Sequence, residues 1–312
     1  MKKLKAAVVQ ASSVAGDTPA TIKKVVELIE NCSKQKVNLA VFPEAFVGGY
    51  PKGATFGTKI GVRTIEGRDE YRAYYDCAID VPSAETQHIG DAVAKAEMYL
   101  VIGVIERDKG TLYCTALYFG PNGDLLGKHR KLMPTAAERL CWGFGDGSTI
   151  DTVTTPWGEM GAVICWENYM PLFRQAMYAQ GIKLYCVPTA DDRDTWLSTM
   201  QHVALEGRCF VLSACQFMRR KDFLPNAENT ITDNPDDVLM RGGSLVIDPL
   251  GQVLIEPDFS GETILTTELD MDQYARGKFD FDTTGHYSRC DVFHLNVNIQ
   301  PQESVSIVEK NK

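Results

Sequence analysis

Short apolar runs recur along the chain, most of them separated by stretches of helical periodicity, and this alternation is what most limits the fold. Residues 4–10 read as a strand, and residues 18–33 then carry Ile22, Val25, Val26, Leu28 and Ile29 at helical spacing. The segments 37–42, 99–106, 160–165, 184–187, 209–215 and 262–270 have strand character, and 87–97, 172–180 and 196–206 have helical character. Two strand-turn-strand units interrupt the alternation. One lies at 111–128 around Pro121-Asn122-Gly123-Asp124, the other at 243–256 around Pro249-Leu250-Gly251. Strands alternating with helices give α/β layers, and the hairpins require mixed sheets. No shift in composition marks an internal boundary, so residues 1–298 are expected to form one domain, followed by a polar tail at 299–312. The polar, aperiodic stretch 219–237 is expected to be an exposed loop.

A chain of 312 residues, 44% hydrophobic and 23% charged, can bury a large core. Its net charge of −9 argues against a nucleic-acid or anionic-membrane surface. The apolar run after the basic N-terminal residues is too short for a secretory signal, and no segment approaches the roughly 20 apolar residues of a membrane span. The nine cysteines are odd in number and scattered, with no C-x-x-C pair and no zinc spacing. That pattern fits free thiols in a reducing cytoplasm, with no metal and no cofactor.

Three segments carry chemistry. In Phe42-Pro43-Glu44 an apolar strand ends on a carboxylate. In His129-Arg130-Lys131-Leu132-Met133-Pro134-Thr135 a basic cluster leaves a strand, and Glu138 follows seven residues after Lys131. In Cys165-Trp166-Glu167-Asn168 an apolar strand ends on a cysteine, where a turn exposes sulfur and aims backbone N–H groups at developing negative charge. Taken singly, each has an ordinary explanation: a solvated loop glutamate, a basic surface turn, a small buried thiol. Together they supply a nucleophile, a base and an oxyanion partner. Of the five histidines only His129 adjoins one of these segments, as a supporting residue, so the base expected for Cys165 is a carboxylate.

The order and wording of these segments resemble the nitrilase branch of the nitrilase (carbon–nitrogen hydrolase) superfamily. Trp142-Gly143-Phe144-Gly145-Asp146-Gly147-Ser148, Pro188-Thr189-Ala190-Asp191 and Gly285-His286-Tyr287-Ser288-Arg289 extend the likeness from about residue 5 to 295. Cys141 beside Trp142, Cys290 after Ser288-Arg289 and a short tail depart from the usual pattern. The resemblance implies a four-layer αββα sandwich with two mixed sheets, and a homo-oligomer, either a dimer or a larger spiral. It implies a catalytic triad of Glu44, Lys131 and Cys165, with Glu138 holding Lys131 or sharing its protons. Tyr50, Trp166, Thr189 and Ala190 are the substrate-binding positions it implies; the small Ala190 would leave room for a bulky group. The activity implied is hydrolysis of an organic nitrile by water to a carboxylic acid and ammonia, through a covalent thioimidate and thioester. An amidase or a cyanide-hydrolysing enzyme of the same superfamily is the alternative, and a non-enzymatic scaffold relative the remaining one.

Overall fold

The computed structural model describes residues 3–14, 16–225, 227–303 and 305. In chain order its elements are β1 (Lys3–Gln10), α1 (Thr18–Lys34), β2 (Leu39–Val41), α2 (Ile65–Asp76), α3 (Ala84–Ala96), β3 (Tyr99–Asp108), β4 (Thr111–Phe119) and β5 (Leu125–Arg130). There follow β6 (Val153–Thr155), β7 (Gly158–Ala162), α4 (Pro171–Ala179), β8 (Ile182–Thr189), α5 (Thr195–Gly207), β9 (Phe210–Cys215) and β10 (Phe217–Arg219). The last are β11 (Val238–Arg241), β12 (Ser244–Ile247), β13 (Val253–Asp258), β14 (Thr263–Asp270) and α6 (Asp272–Gly277).

Two six-stranded sheets carry the fold, in the orders β14-β1-β2-β3-β4-β5 and β13-β12-β9-β8-β7-β6. Both are mixed. The pairs β1–β2, β2–β3, β7–β8 and β8–β9 are parallel, and the hairpins β3–β4, β4–β5 and β12–β13 are antiparallel. Strand periodicity assigns the faces. Leu4, Ala6 and Val8 of β1 point toward the second sheet and pack with Met160, Ala162, Leu184, Cys186, Phe210 and Leu212. Ala7 and Val9 point the other way, onto Ile22, Val25 and Ile29 of α1 and Ile89 and Val93 of α3. On the far side of the second sheet, Tyr185, Val187 and Val211 meet Phe173 and Met177 of α4 and Trp196, Met200 and Val203 of α5. The layers therefore run helix, sheet, sheet, helix, as the resemblance implied.

Helix starts are fixed locally. Asp17 caps α1 by accepting from the Ala20 amide at 2.9 Å, and Ser83 and Thr86 cap α3 reciprocally. Among the described residues no helix is long and apolar enough to cross a membrane.

The structure corrects several boundaries. The second strand is Leu39–Val41 rather than 37–42, although the Phe42 amide still donates to Val101 O at 2.8 Å. The strand expected over 160–165 ends at Ala162, three residues before Cys165. The stretch 219–237 is only partly an exposed loop: Phe223, Leu224 and Ala227 are buried in the core between the sheets. Asn229 is buried too, and its Nδ2 donates to Lys52 O at 2.7 Å. Phe223, Leu224 and Ala227, apolar residues inside that polar stretch, draw it inward.

Candidate active site

The chemistry-bearing residues meet where strands of both sheets end, the usual place for a site in an α/β sheet. Glu44 lies three residues beyond β2, on a loop held against β3. The Gly103 amide donates to Pro43 O at 3.1 Å, and the amides of Phe46 and Val47 donate to Gly103 O at 2.8 and 3.2 Å. Gln216 Nε2 donates to Glu44 O at 2.8 Å from the second sheet's side. Lys131 follows β5, and its amide donates to Cys114 O at 2.8 Å. Glu138 sits on a 3-10 turn, Ala136–Leu140, whose N-terminal Thr135 amide it caps with Oε2 at 2.6 Å.

Cys165 opens another 3-10 turn, Cys165–Tyr169. Its φ of 50° is in the left-handed region, costly for a residue with a side chain. Asn168 holds that conformation by donating to Val163 O at 3.1 Å and to Cys165 O at 2.7 Å, and Arg174 Nη1 in turn donates to Asn168 O at 2.7 Å. Ala45 and Ala136 also have positive φ, 50° and 48°, so backbone strain gathers beside three of the four groups.

Lys131 Nζ links the two carboxylates. It donates to Glu44 Oε1 at 2.6 Å and to Glu138 Oε2 at 2.8 Å. The Cys114 thiol adds a donor to Glu44 Oε1 at 3.4 Å, whereas Glu44 Oε2 is buried without a hydrogen-bond partner. Tyr50 donates its hydroxyl to Glu138 Oε1 at 2.6 Å and packs edge-on against Trp142, ring centroids 5.8 Å apart.

Burial dominates the electrostatics. It pushes the Glu44 carboxyl above its ordinary value against the opposing pull of Lys131, and Glu138 adds to the rise. Burial and then the Glu44 charge push the Cys165 thiol well up; Lys131 and the Thr189 hydroxyl pull it back only in part. Burial works against the Lys131 ammonium, but Glu44, Cys165, Cys114 and Glu138 outweigh it and hold it well above the ordinary lysine value. The arrangement is thus a buried lysine between two carboxyl groups, beside a thiol that holds its proton more tightly than an ordinary cysteine.

The structure brings Glu44, Lys131, Glu138, Cys165, Tyr50 and Thr189 into one cluster, and Ala190 is buried in the same apolar cluster as Cys165. Trp166 stands at the rim. It is 41% exposed, donates Nε1 to Asp191 Oδ2 at 2.8 Å and lies under the Arg193 guanidinium. A groove of about 780 Å³, lined by Phe56, Ile60, Tyr71 and Leu140, flanks the turn that carries Glu138 but is lined by none of the clustered side chains. The roles of Cys114, Gln216 and Gly103 had no signal in sequence, because each acts on a segment remote in the chain. Glu167 and Asn168 stood inside a recognised motif without an assigned task. Among the described residues no group of His, Cys, Asp and Glu could hold a metal ion.

The four-layer αββα sandwich with a buried carboxylate–lysine–thiol cluster at its strand ends is the combination that defines the class. The chain belongs to the carbon–nitrogen hydrolase family, whose profile matches residues 5–279, and within it to the nitrilase branch. It is 64% identical over 305 residues to an aliphatic nitrilase of Sinorhizobium fredii, covering 98% of this chain and 99% of that protein. It is 56% identical over 304 residues to a nitrilase of Bradyrhizobium diazoefficiens, covering 97% and 95%. A branch 10 member of the nitrilase superfamily from Saccharomyces cerevisiae shares the fold at 24% identity, with a TM-score of 0.71 over 92% of this chain and 97% of that one.

Proposed function

We propose that this chain is a nitrilase that converts an organic nitrile and two waters to a carboxylic acid and ammonia, with Cys165 as nucleophile. The observation that carries the site assignment is Lys131 Nζ, buried and shared between Glu44 Oε1 and Glu138 Oε2 beside the Cys165 thiol. The relatives' names support the nitrile as substrate.

The thiol rests protonated, so attack needs a base in contact with it. Glu44, raised by burial and with Oε2 unpartnered, takes the thiol proton as sulfur adds to the nitrile carbon. The nitrile nitrogen gains that proton and becomes the N–H of a thioimidate. Lys131 and the Trp166 amide, directly after the nucleophile, face the negative charge on nitrogen and then on oxygen; one such donor is worth about 3 kcal/mol. Water activated by Glu44 adds to the thioimidate carbon, the C–N bond breaks and ammonia leaves. A second water adds to the resulting thioester, the C–S bond breaks, and the proton returns to sulfur as the acid departs. Glu138, tied to Tyr50, Thr135 and Lys131, keeps the ammonium in place.

The test is ammonia release from a nitrile and from its matched amide by Cys165→Ala, Glu44→Gln and Lys131→Ala variants. All three are expected to lose nitrile hydrolysis, with an acyl adduct trapped only on proteins that retain Cys165. Full activity in Cys165→Ala overturns the assignment, and an amide turned over in preference to its nitrile makes the chain an amidase. Tyr50 and Thr189 in the cluster, Ala190 beside it and Trp166 at its rim are the substrate-binding residues of this reading. We further propose a cytoplasmic homo-oligomer, a dimer or larger spiral. Free thiols at all nine cysteines support the compartment. The exposed Phe279, Tyr287, Phe293 and Ile299 of the C-terminal arm support assembly, which light scattering of the purified protein tests.

A further inference from the structure

Glu167 is buried, and both its carboxylate oxygens are engaged by groups other than the Cys165 side chain. Its Oε1 accepts from the Leu132 amide at 2.7 Å, and its Oε2 accepts from the Ile164 amide at 2.7 Å. Leu132 directly follows Lys131, and Ile164 directly precedes Cys165. Leu132 leaves the end of β5 in one sheet and Ile164 the end of β7 in the other. One carboxylate therefore joins the two sheets at the two residues that flank the ammonium and the thiol.

The imidazole of His129, two residues before Lys131, completes the link. Its Nε2 lies 3.1 Å from each Glu167 oxygen, and its Nδ1 lies 3.1 Å from Thr149 O. Both ring nitrogens face acceptors, so both carry protons and the ring is an imidazolium. A buried carboxylate with an opposite charge and two amides on it is satisfied at every oxygen, which gives it a fixed geometry. A neutral amide could not replace it, because its NH2 would face an amide N–H or the imidazolium.

We infer that Glu167 is a positioning residue that sets the separation of Lys131 from Cys165 by clamping the Leu132 and Ile164 amides across the sheet interface, with His129 as its counter-charge. The inference rests on the triad assignment above. It requires that loosening the clamp harm the chemical step while substrate binding stays intact, because the clamp touches no substrate-facing atom.

The experiment compares Glu167→Gln, Glu167→Asp and Cys165→Ala with the parent enzyme, measuring kcat and KM for ammonia release and the fold by circular dichroism. In Glu167→Gln kcat is expected to fall about 100-fold, the cost of roughly 1 Å of misplacement, with KM changed by less than about threefold. Glu167→Asp keeps the charge on His129 and one amide at a time, and is expected to recover about tenfold of that loss. A folded Glu167→Gln with kcat within about twofold of the parent overturns the inference, as does failure of both Glu167 variants to fold, which would make the clamp a folding element only. Inactive Cys165→Ala beside fully active Glu167→Gln discards the clamp alone; active Cys165→Ala discards the triad assignment and the clamp with it.

Discussion

A methyl group added at Gly103 tests whether the loop that presents Glu44 must sit where it does. An alanine Cβ there would lie 2.3 Å from Pro43 O, 2.7 Å from Glu44 Cα and 2.7 Å from Ala45 N, all backbone atoms that no rotamer change can move. Ordinary contact begins at 3.4 Å, so the Pro43–Ala45 backbone must retreat by about 3.4 − 2.3 = 1.1 Å. The same strand position accepts the Phe46 and Val47 amides and donates to Pro43 O, so the loop has no slack in which to absorb that shift. A displacement of this size at Glu44, the proposed base, is worth about 10²-fold in kcat, or about 2.7 kcal/mol of barrier. Overpacking adds ~1–3 kcal/mol of lost stability. Gly110 is the internal control. It lies in the turn after β3, and a Cβ there meets nothing within 4 Å. The assay is steady-state ammonia release with a thermal melt alongside. Gly103→Ala is expected to lose about two orders of magnitude in kcat and Gly110→Ala nothing beyond about twofold. Equal activity in the two variants would refute the claim that β3 fixes the base through backbone contact.

Cys114→Ala removes a donor from the charged form of Glu44, so the acid limb of the kcat/KM profile is expected to move to higher pH while Cys114→Ser leaves it in place; a limb unmoved in the alanine variant means the thiol is only packing. Stability should decline on the alkaline side. His129 is opposed by burial but held above its ordinary value by Glu167, so its contribution is complete below about 6.5 and is lost as pH rises through the folded value. Glu44, raised by burial, binds its proton more tightly in the folded state and so adds a loss in the same direction above about 4.5. Urea unfolding at steps between about pH 6 and about pH 9 reads the slope, which His129→Asn should flatten while costing about 3–5 kcal/mol by leaving Glu167 buried without its counter-charge. Iodoacetamide at neutral pH should label the exposed Cys290 before Cys165, so mass spectrometry is expected to show a singly modified protein with full activity; early loss of activity with Cys165 labelled would contradict a resting thiol.

The layered fold was legible because its central strands are apolar on both faces. In β1, β3, β8 and β9 one face meets a helix and the other meets the opposite sheet, so each reads as a continuous hydrophobic run. What escaped is short or exposed. β6 has three residues, the β10–β11 ribbon has one strand of three and one of four, and α2 buries only Gly67 and Tyr74 within its span. The pairing of β1 with β14 joins residues about 260 apart, which no local pattern signals. The same division holds in the site. Glu44, Lys131, Glu138 and Cys165 stand in short recognisable segments at strand ends. Cys114, Gln216 and Gly103 act on Glu44 across the fold, and nothing in their own neighbourhoods points to it.

That division has a physical cause in the mechanism proposed for this cluster. Cysteine nucleophiles that rest as thiolates sit in electropositive, partly open surroundings. Cys165 is instead buried, with Glu44 as well as Lys131 beside it, and burial and the Glu44 charge together push its thiol above the ordinary value. Such a sulfur becomes reactive only while its proton moves, so the positions of Glu44 Oε2 and Lys131 relative to sulfur count for more than any standing charge. Position, unlike charge, cannot be supplied by the reacting residues alone. In the proposed mechanism it comes from the strained turns at Ala45, Ala136 and Cys165, from the Gly103 contact that seats Glu44, and from the Glu167 carboxylate that ties one sheet to the other. The groups proposed to react are therefore written locally in the chain, while the geometry that places them is written across it.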